Sequence, residues 1–302
     1  MVKKKNVIKS FFRTTFGTSR ESIIFNTVNY LVFLVFTIIM LYPFLYVFKK
    51  SMQSIVLING VSQVKYSFAA YKHVLQNDEI ITSFITTVVI LLIKVFFSLL
   101  VSFMMAYSLS KSYLKGKKVL LMILLITMLF SGGMIPSYIL ITQVLKWRNN
   151  YLVYIVPGLV EAYNVFVMKS YLQGIPDSLE EAALLDGANQ FTIFLKVFVP
   201  LSGPIIATIG LWTGVGLWNN WMSGVLYITD PDKRLLQQLL RDMLISATST
   251  DVGGNGGDSH LMAMADNVKM ATIVVGILPI LVAYPFVQKY FVKGMLVGSV
   301  KG

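Results

Sequence analysis

Six stretches of mostly apolar residues alternate with polar or charged connections along the chain, at about Phe25–Phe48, Ser83–Ser108, Val119–Ile141, Tyr151–Leu172, Pro204–Ile228 and Ala271–Phe291. Each is near the ~20 residues that a helix needs to cross the hydrocarbon core of a bilayer. A helix satisfies its own backbone hydrogen bonds there, so the pattern predicts six membrane-spanning helices. The connection between the fourth and fifth stretches is different. Residues 178–201 read SLEEAALLDGANQFTIFLKVFVPL. Pro176 and Asp177 stop the chain as it leaves the fourth span, and Ser178 and Glu181 stand at capping-box spacing, so a short helix is expected from Ser178 to about Asp186. Gly187 is the residue best able to turn the chain through a left-handed conformation. A second helix is expected from Asn189 through Phe191, Phe194 and Leu195, until Pro200 and Pro204 lead into the fifth span. Ala182 and Ala183 leave a low surface on the first helix, open to close approach by another protein.

Composition agrees with a membrane protein. Of 302 residues, 56% are hydrophobic and 13% charged, with mean hydropathy +0.70, more than a soluble domain of this length needs for its core. The chain has no Cys, which excludes disulfides and thiolate metal sites, and its two His, at 73 and 260, argue against a His-based metal centre. The net charge of +12 could suggest a nucleic-acid partner. The Lys and Arg residues lie instead in short clusters flanking apolar runs, and no basic groove interleaved with aromatics is present, so the charge reads as topological.

Lys3, Lys4, Lys5, Lys9, Arg13 and Arg20 precede the first span, and Lys111, Lys115, Lys117 and Lys118 fill the turn after the second. These place residues 1–24, the connection 173–203 and the tail 292–302 in the cytoplasm. Lys49 and Lys50 oppose that direction. The expected organisation is a basic N-terminal segment, a six-span membrane domain over 25–291 with an external loop at 229–270, and a flexible basic tail. No cleavable signal peptide is expected. The third span contains FSGGMIPSYIL, in which Gly132, Gly133 and Pro136 mark either a hinge or a helix end.

Two charges fall inside expected spans. Lys94 in the second and Glu161 in the fourth both come near mid-depth, where ionisable groups face the bundle interior or water. They are expected to pair, either fixing helix register or leaving Glu161 to bond a polar solute. Tyr163, Asn164, Trp212, Trp218, Asn219 and Asn220 supply aromatic faces and amides suited to lining the path of a polar solute. Trp221 suits a membrane-interface belt better. At least one of Asn219 and Asn220 is expected to bond between helices. In the external loop, SATSTDVGGNGGDSH (246–260) reads as a loose segment. Gly253, Gly254, Asn255, Gly256, Gly257 and Asp258 within it fit one copy of the calcium repeat G-G-x-G-x-D, which needs stacked copies to hold an ion, and Ser259 stands where that repeat has a large apolar residue.

The spacing Glu181-Ala182-Ala183, three residues, Gly187, nine residues, then Val197-x-Val199-Pro200 resembles the EAA loop of ABC importer permeases. The fuller string through Ile175-Pro176, Leu179-Glu180-Glu181-Ala182-Ala183 and Asp186-Gly187-Ala188 looks like the carbohydrate-importer branch. FSGGMIPSYIL, GLWNNWMSGVLYITDPDKRLLQQLLRDML and FVKGMLVGSVKG extend the similarity over nearly the whole chain to the MalG-like permeases, and within them to the LplC/YtcP group for oligosaccharides derived from polysaccharides. The resemblance implies an all-α integral membrane fold of the type I importer (MetI-like) class. It also implies a coupling loop (Ser178, Glu180, Glu181, Ala182, Ala183, Asp186, Gly187 and Pro200) seated in a cleft of a separate ATPase, with Glu181 pairing a basic residue there. Further implied partners are a second homologous permease subunit, two ATPase subunits and an extracytoplasmic solute-binding protein that meets the loop at 253–257. No phosphate-binding G-x-x-x-x-G-K-[ST] motif occurs, so ATP and Mg belong to the partner and the chain itself is expected to bind no cofactor and catalyse nothing. The competing classes are a secondary transporter using Lys94 and Glu161 as an ion relay, a permease for a non-sugar solute, a membrane-embedded enzyme and a non-transporting scaffold. The EAA spacing stands against the transporter, the enzyme and the scaffold, each of which leaves it unexplained: the transporter would stop with the ion gradient, the enzyme would turn over a lipid or sugar unaided, and the scaffold would move no solute.

Overall fold

The computed structural model describes residues 20–58, 61–253, 266–282 and 284–285. The chain divides into two compact units, Met1–Tyr71 with Gly257–Val274, and Lys72–Gly256 with Val275–Gly302.

The first unit holds α1 (Arg20–Ser51), a helix apolar on every side whose most hydrophobic window has no residue buried inside the molecule. Such a helix faces lipid or another chain. Behind it comes an antiparallel hairpin, β1 (Gln53–Ile58) and β2 (Val61–Tyr66), in register from Gln53↔Tyr66 to Ile58↔Val61. Hydropathy alone predicts only a connection here. The hairpin's own signal was legible, because Asn59-Gly60 stands between two segments rich in β-branched residues. Ser51 Oγ donates to the Phe48 carbonyl (2.7 Å) and shares a 2.6 Å hydrogen bond with Tyr71 Oη.

From the first unit α2 (Ala69–Leu75) leads into α3 (Asp78–Ser110), the central helix of the second. Asn77 caps α3 by accepting from the Glu79 amide at 2.9 Å, and Asp78 and Glu79 complement the positive end of its dipole. Against α3 pack α7 (Ala162–Leu172), α11 (Gly203–Trp218) and α13 (Leu236–Gly253). Gly210 and Gly214, a small-xxx-small pair on α11, let it approach α3 closely: a Cβ at Gly210 would lie 3.3 Å from Leu99, and one at Gly214 3.7 Å from Val95.

Two apolar clusters occupy opposite ends of this bundle. One contains Ile90, Val153, Tyr154 and Leu217; the other contains Phe103, Met168, Phe194 and Ile209. Lys94 of α3, Asn164 of α7 and Trp212 of α11 fall in sequence between the members of the two clusters, which defines a middle layer.

Several expected spans are interrupted. α1 and α3 are long and apolar enough to cross a membrane; two further candidates are bent pairs. The third span is α4 (Lys117–Leu129) followed by α5 (Met134–Ile139) and a π-turn at Leu140–Val144, bent by 106°. Gly132 and Gly133 therefore mark a helix end, with Gly133 at φ 84°. The fourth span is split into α6 (Leu152–Ile155) and α7 by the segment containing Pro157 and Gly158, the latter at φ 69°. The chain bends by 77° at Ser202, just ahead of the fifth span, which itself breaks at Asn219–Trp221 before α12 (Met222–Tyr227). Proline and left-handed glycine outweigh the apolar run at each of the first two breaks. The loose segment expected from Ser246 is helical to Gly253, because α13 continues through it. A last helix, α14, covers 266–282.

Candidate functional site

The connection after α7 folds as the expected helical hairpin. α8 spans Ser178–Leu185 and α9 Gln190–Ile193, continued by a π-turn at Phe194–Phe198 and the short α10 (Val199–Leu201). Gly187 sits at φ 80°, in the left-handed region assigned to it. Asn189 caps α9, its Oδ1 accepting from the Thr192 amide at 2.8 Å. Pro200 has no amide hydrogen to donate, and the π-turn precedes it.

The start of α8 differs from expectation. The N-cap is Asp177, in helical conformation and without a side-chain capping bond, and its carbonyl accepts from the Glu180 and Glu181 amides at 3.0 Å. The Ser178–Glu181 capping box does not form, because Asp177 enters the helix and leaves no extended residue to cap it. Glu181 is exposed, and no side-chain hydrogen bond or ion pair joins it to a described residue. Ser178, Ala182 and Asp186 are also exposed, whereas Ala183 is half-buried against the Phe103–Met168 cluster.

Glu180 points the other way. It is 8% exposed and bonds Lys111, which is equally buried at the C-cap of α3. The Lys111 ammonium lies 4.0 Å from the Phe198 ring centroid and 4.5 Å from that of Tyr107. The second Glu180 oxygen accepts from Gln190 Nε2 at 3.4 Å, and Gln190 Oε1 accepts from Tyr107 Oη at 3.1 Å. Burial and then the Glu180 charge push the nearby Tyr113 phenol up from its ordinary range. On the outward side of the hairpin, Leu185 is 89% exposed and Phe191 65%. Sequence reasoning read Phe191 only as a helix position and passed over Leu185, whose signal was an apolar residue just before the Asp186-Gly187 turn.

The middle layer gathers most of the other candidates. Lys94 Nζ donates to the Pro157 carbonyl at 3.0 Å, and Glu161 accepts from the buried Asn164 amide at 3.3 Å. Both charges flank Gly158, where a Cβ would stand 3.7 Å from Glu161 and 3.9 Å from Lys94. They are neighbours without a direct ion pair, since the broken fourth span offers Lys94 a free carbonyl instead. Glu161 is the exposed N-cap of α7, not a mid-helix residue. The Tyr163 and Trp212 rings stack at 5.8 Å. Trp212 also lines an open, apolar cavity of about 930 Å³ with Val88, Leu91, Val95, Val215 and Tyr284.

Trp218, Asn219 and Asn220 each have a hydrogen-bond partner within the structure. Trp218 is 5% exposed and donates to the Gly276 carbonyl at 3.2 Å. Asn219 Nδ2 donates to the Val215 carbonyl of its own helix, and Asn220 accepts from the Ser223 amide and donates to its hydroxyl at the start of α12, so among the described residues neither side chain reaches across to a packed neighbouring helix. Local breaks in the fifth span gave them partners close in sequence. Trp221 stacks under Arg241 at 4.6 Å. Residues 254–257 of the loop assigned to a binding protein, and the basic tail 292–302, lie outside the described residues, as do residues 1–19. Among the described residues no group of three or more His, Cys, Asp or Glu is placed to hold a metal ion.

A bundle of long and broken apolar helices carrying an exposed helical hairpin is the architecture of a transporter's membrane subunit. The family model described as "Binding-protein-dependent transport system inner membrane component" matches residues 99–297, and the chain belongs to that family. It is 37% identical over 288 residues to the polygalacturonan/rhamnogalacturonan transport system permease protein YtcP of Bacillus subtilis (strain 168), covering 92% of this chain and 99% of the relative. Protein LplC of the same organism is 38% identical over 239 residues, covering 78% and 80% of the two chains. A chain from the crystal structure of a bacterial ABC transporter involved in the import of the acidic polysaccharide alginate superposes with TM-score 0.79 at 32% identity, covering 91% of this chain and 99% of that one.

Proposed function

We propose that this chain is one membrane half of an ATP-driven oligosaccharide importer, spanning the bacterial plasma membrane with both termini in the cytoplasm. It pairs with a second, homologous permease and is driven by two ATPase subunits that bind ATP and Mg; the chain itself has no catalytic step. A solute-binding protein outside delivers the sugar, in keeping with the family description, and the relatives' names supply the solute class. Closure of the ATPases opens the path outward, and hydrolysis resets it.

The observation that carries this reading is the hairpin 178–201. Its inner side is fastened to the bundle through Glu180, while Glu181, Ala182 and Leu185 are presented outward on a rigid turn. An 89%-exposed Leu beside an exposed carboxylate fits a cleft with an apolar floor and a basic rim. An ion relay is supported less well, because Lys94 and Glu161 bond other partners.

Within oligosaccharides, an acidic, uronate-containing chain is the reading favoured by two relatives' names, those of the galacturonan permease and the alginate importer. Lys94, in the same middle layer as the Tyr163–Trp212 stack, would supply a cation to the layer that holds a sugar-stacking face.

The test uses the absence of native Cys. Leu185→Cys, paired with a single Cys in the ATPase cleft, is expected to form a disulfide in membranes with a yield that changes on adding ATP. No crosslink where the ATPase is demonstrably bound would overturn the coupling assignment.

A further inference from the structure

Two adjacent glutamates on one short helix have opposite environments, and the difference is built by tertiary structure. Glu181 is exposed, with no side-chain partner among the described residues; Glu180 is buried against Lys111, sixty-nine positions earlier in the chain. A buried charge pair survives only with its remaining valences satisfied, and here the circuit is closed. Lys111 bonds Glu180, Glu180 accepts from Gln190, Gln190 accepts from Tyr107, and Tyr107 lies one helical turn before Lys111, its ring beneath the ammonium. Phe198 covers the other side. The circuit ties three elements, α3, α8 and α9. Lys117 fixes the corner from outside, donating to the Lys111 carbonyl at 3.0 Å.

α8 has few other inward holds. Leu179, Glu181, Ala182, Leu184 and Leu185 are all exposed and Ala183 is half-buried with a single methyl, leaving Glu180 as the one fully buried residue and the one polar hold. A force applied to the outer side of α8 therefore passes inward through Glu180. Its recipient is Lys111, the terminal residue of the helix against which α7 and α11 pack and on which Lys94 of the middle layer stands. A carboxylate held by two donors from different elements resists displacement in more directions than an apolar contact, because charge-assisted hydrogen bonds are short and directional.

We propose that the Glu180–Lys111 pair, closed by Gln190 and Tyr107, is the positioning link through which the coupling helix moves α3, so that of the two glutamates Glu181 serves the ATPase and Glu180 serves this chain's own bundle. The inference rests on the coupling-loop reading above.

The experiment reconstitutes the whole importer in proteoliposomes and measures, for each variant, the Leu185→Cys crosslink to the ATPase, ATP hydrolysis with and without loaded binding protein, and sugar uptake per ATP. Glu180→Gln is expected to crosslink like the unsubstituted protein, to hydrolyse ATP with little response to the binding protein, and to import about tenfold less sugar per ATP, the size expected for losing one hydrogen bond to a charged group. Tyr107→Phe, which deletes one hydroxyl and keeps the ring, is expected to move the same ratio in the same direction by a few-fold. Uptake per ATP at the unsubstituted level in Tyr107→Phe and in whatever Glu180→Gln complex assembles overturns the proposal, as does a loss of uptake matched by loss of assembled complex. Failure of the underlying reading is seen separately, as absence of the Leu185→Cys crosslink without any other substitution.

Discussion

The rings of Tyr163 and Trp212 stack at 5.8 Å with 30° between their planes, joining the start of α7 to the middle of α11. Trp218, two turns further along α11, is buried and bonded to a backbone carbonyl. The two tryptophans should therefore fail differently. Trp212→Ala is expected to raise the sugar concentration for half-maximal uptake roughly fivefold, the equivalent of about 1 kcal/mol of aromatic contact, with little change in melting temperature. Trp218→Ala is expected to cost about 3–5 kcal/mol of stability, as large-to-small core changes do. Uptake titrations beside thermal unfolding of the purified subunit separate the cases.

Glu161 holds the buried Asn164 amide. Glu161→Gln keeps an acceptor and is expected to assemble normally. Glu161→Ala leaves that amide unpaired and is expected to destabilise by about 1–3 kcal/mol. Equal melting temperatures for the two variants would contradict the assignment.

Close packing of α11 on α3 depends on Gly210, where a Cβ already meets Leu99 at 3.3 Å. Gly210→Leu is expected to cost about 1–3 kcal/mol by forcing side chains and backbone apart. At Gly216 a Cβ would meet nothing within 4 Å, so Gly216→Ala is expected to change stability no more than a typical surface substitution does. Yield of monodisperse protein in detergent reports both.

The turn between α8 and α9 needs the left-handed conformation of Gly187. Gly187→Ala meets no neighbour within 4 Å, so its whole cost, about 1–2 kcal/mol, is backbone strain. Uptake is expected to fall while the hairpin still docks, and the Leu185→Cys crosslink checks the docking.

At the corner where Asn149 receives the Thr229 and Asp230 amides, the Asp230 carboxyl is held below the usual carboxylate range, first by the hydrogen bond from Lys233 and then by the Asp232 amide. A depressed pKa stabilises above the unfolded value of about 3.9 and is lost as pH falls through the folded value. No change from this group is expected between about pH 6 and 8, and Asp230→Ala is expected to shrink the acid-side fall in melting temperature.

The helical hairpin was legible in sequence because its signals are local: a proline stop, a turn glycine and an Asn cap act within a few residues of themselves. The same locality makes the apolar runs easy to find and hard to end correctly. Pro157-Gly158 and Gly132-Gly133 sit inside hydrophobic stretches that by length alone read as continuous spans. The Asn59-Gly60 hairpin and the Gly210-xxx-Gly214 contact had signals too, but weaker than the hydropathy that surrounds them.

Amino-acid order alone was enough for the membrane class, the positions of the apolar helices and the hairpin that carries the family spacing, since each follows from composition and short-range backbone preference. Which glutamate faces inward, which group Lys94 meets and which Trp is buried were decided in three dimensions. Glu180 and Glu181 are chemically identical neighbours, and their difference comes from a lysine sixty-nine positions away that the folded bundle brings beneath one of them. Burial and pairing are properties of that assembled neighbourhood, and no window of sequence contains it.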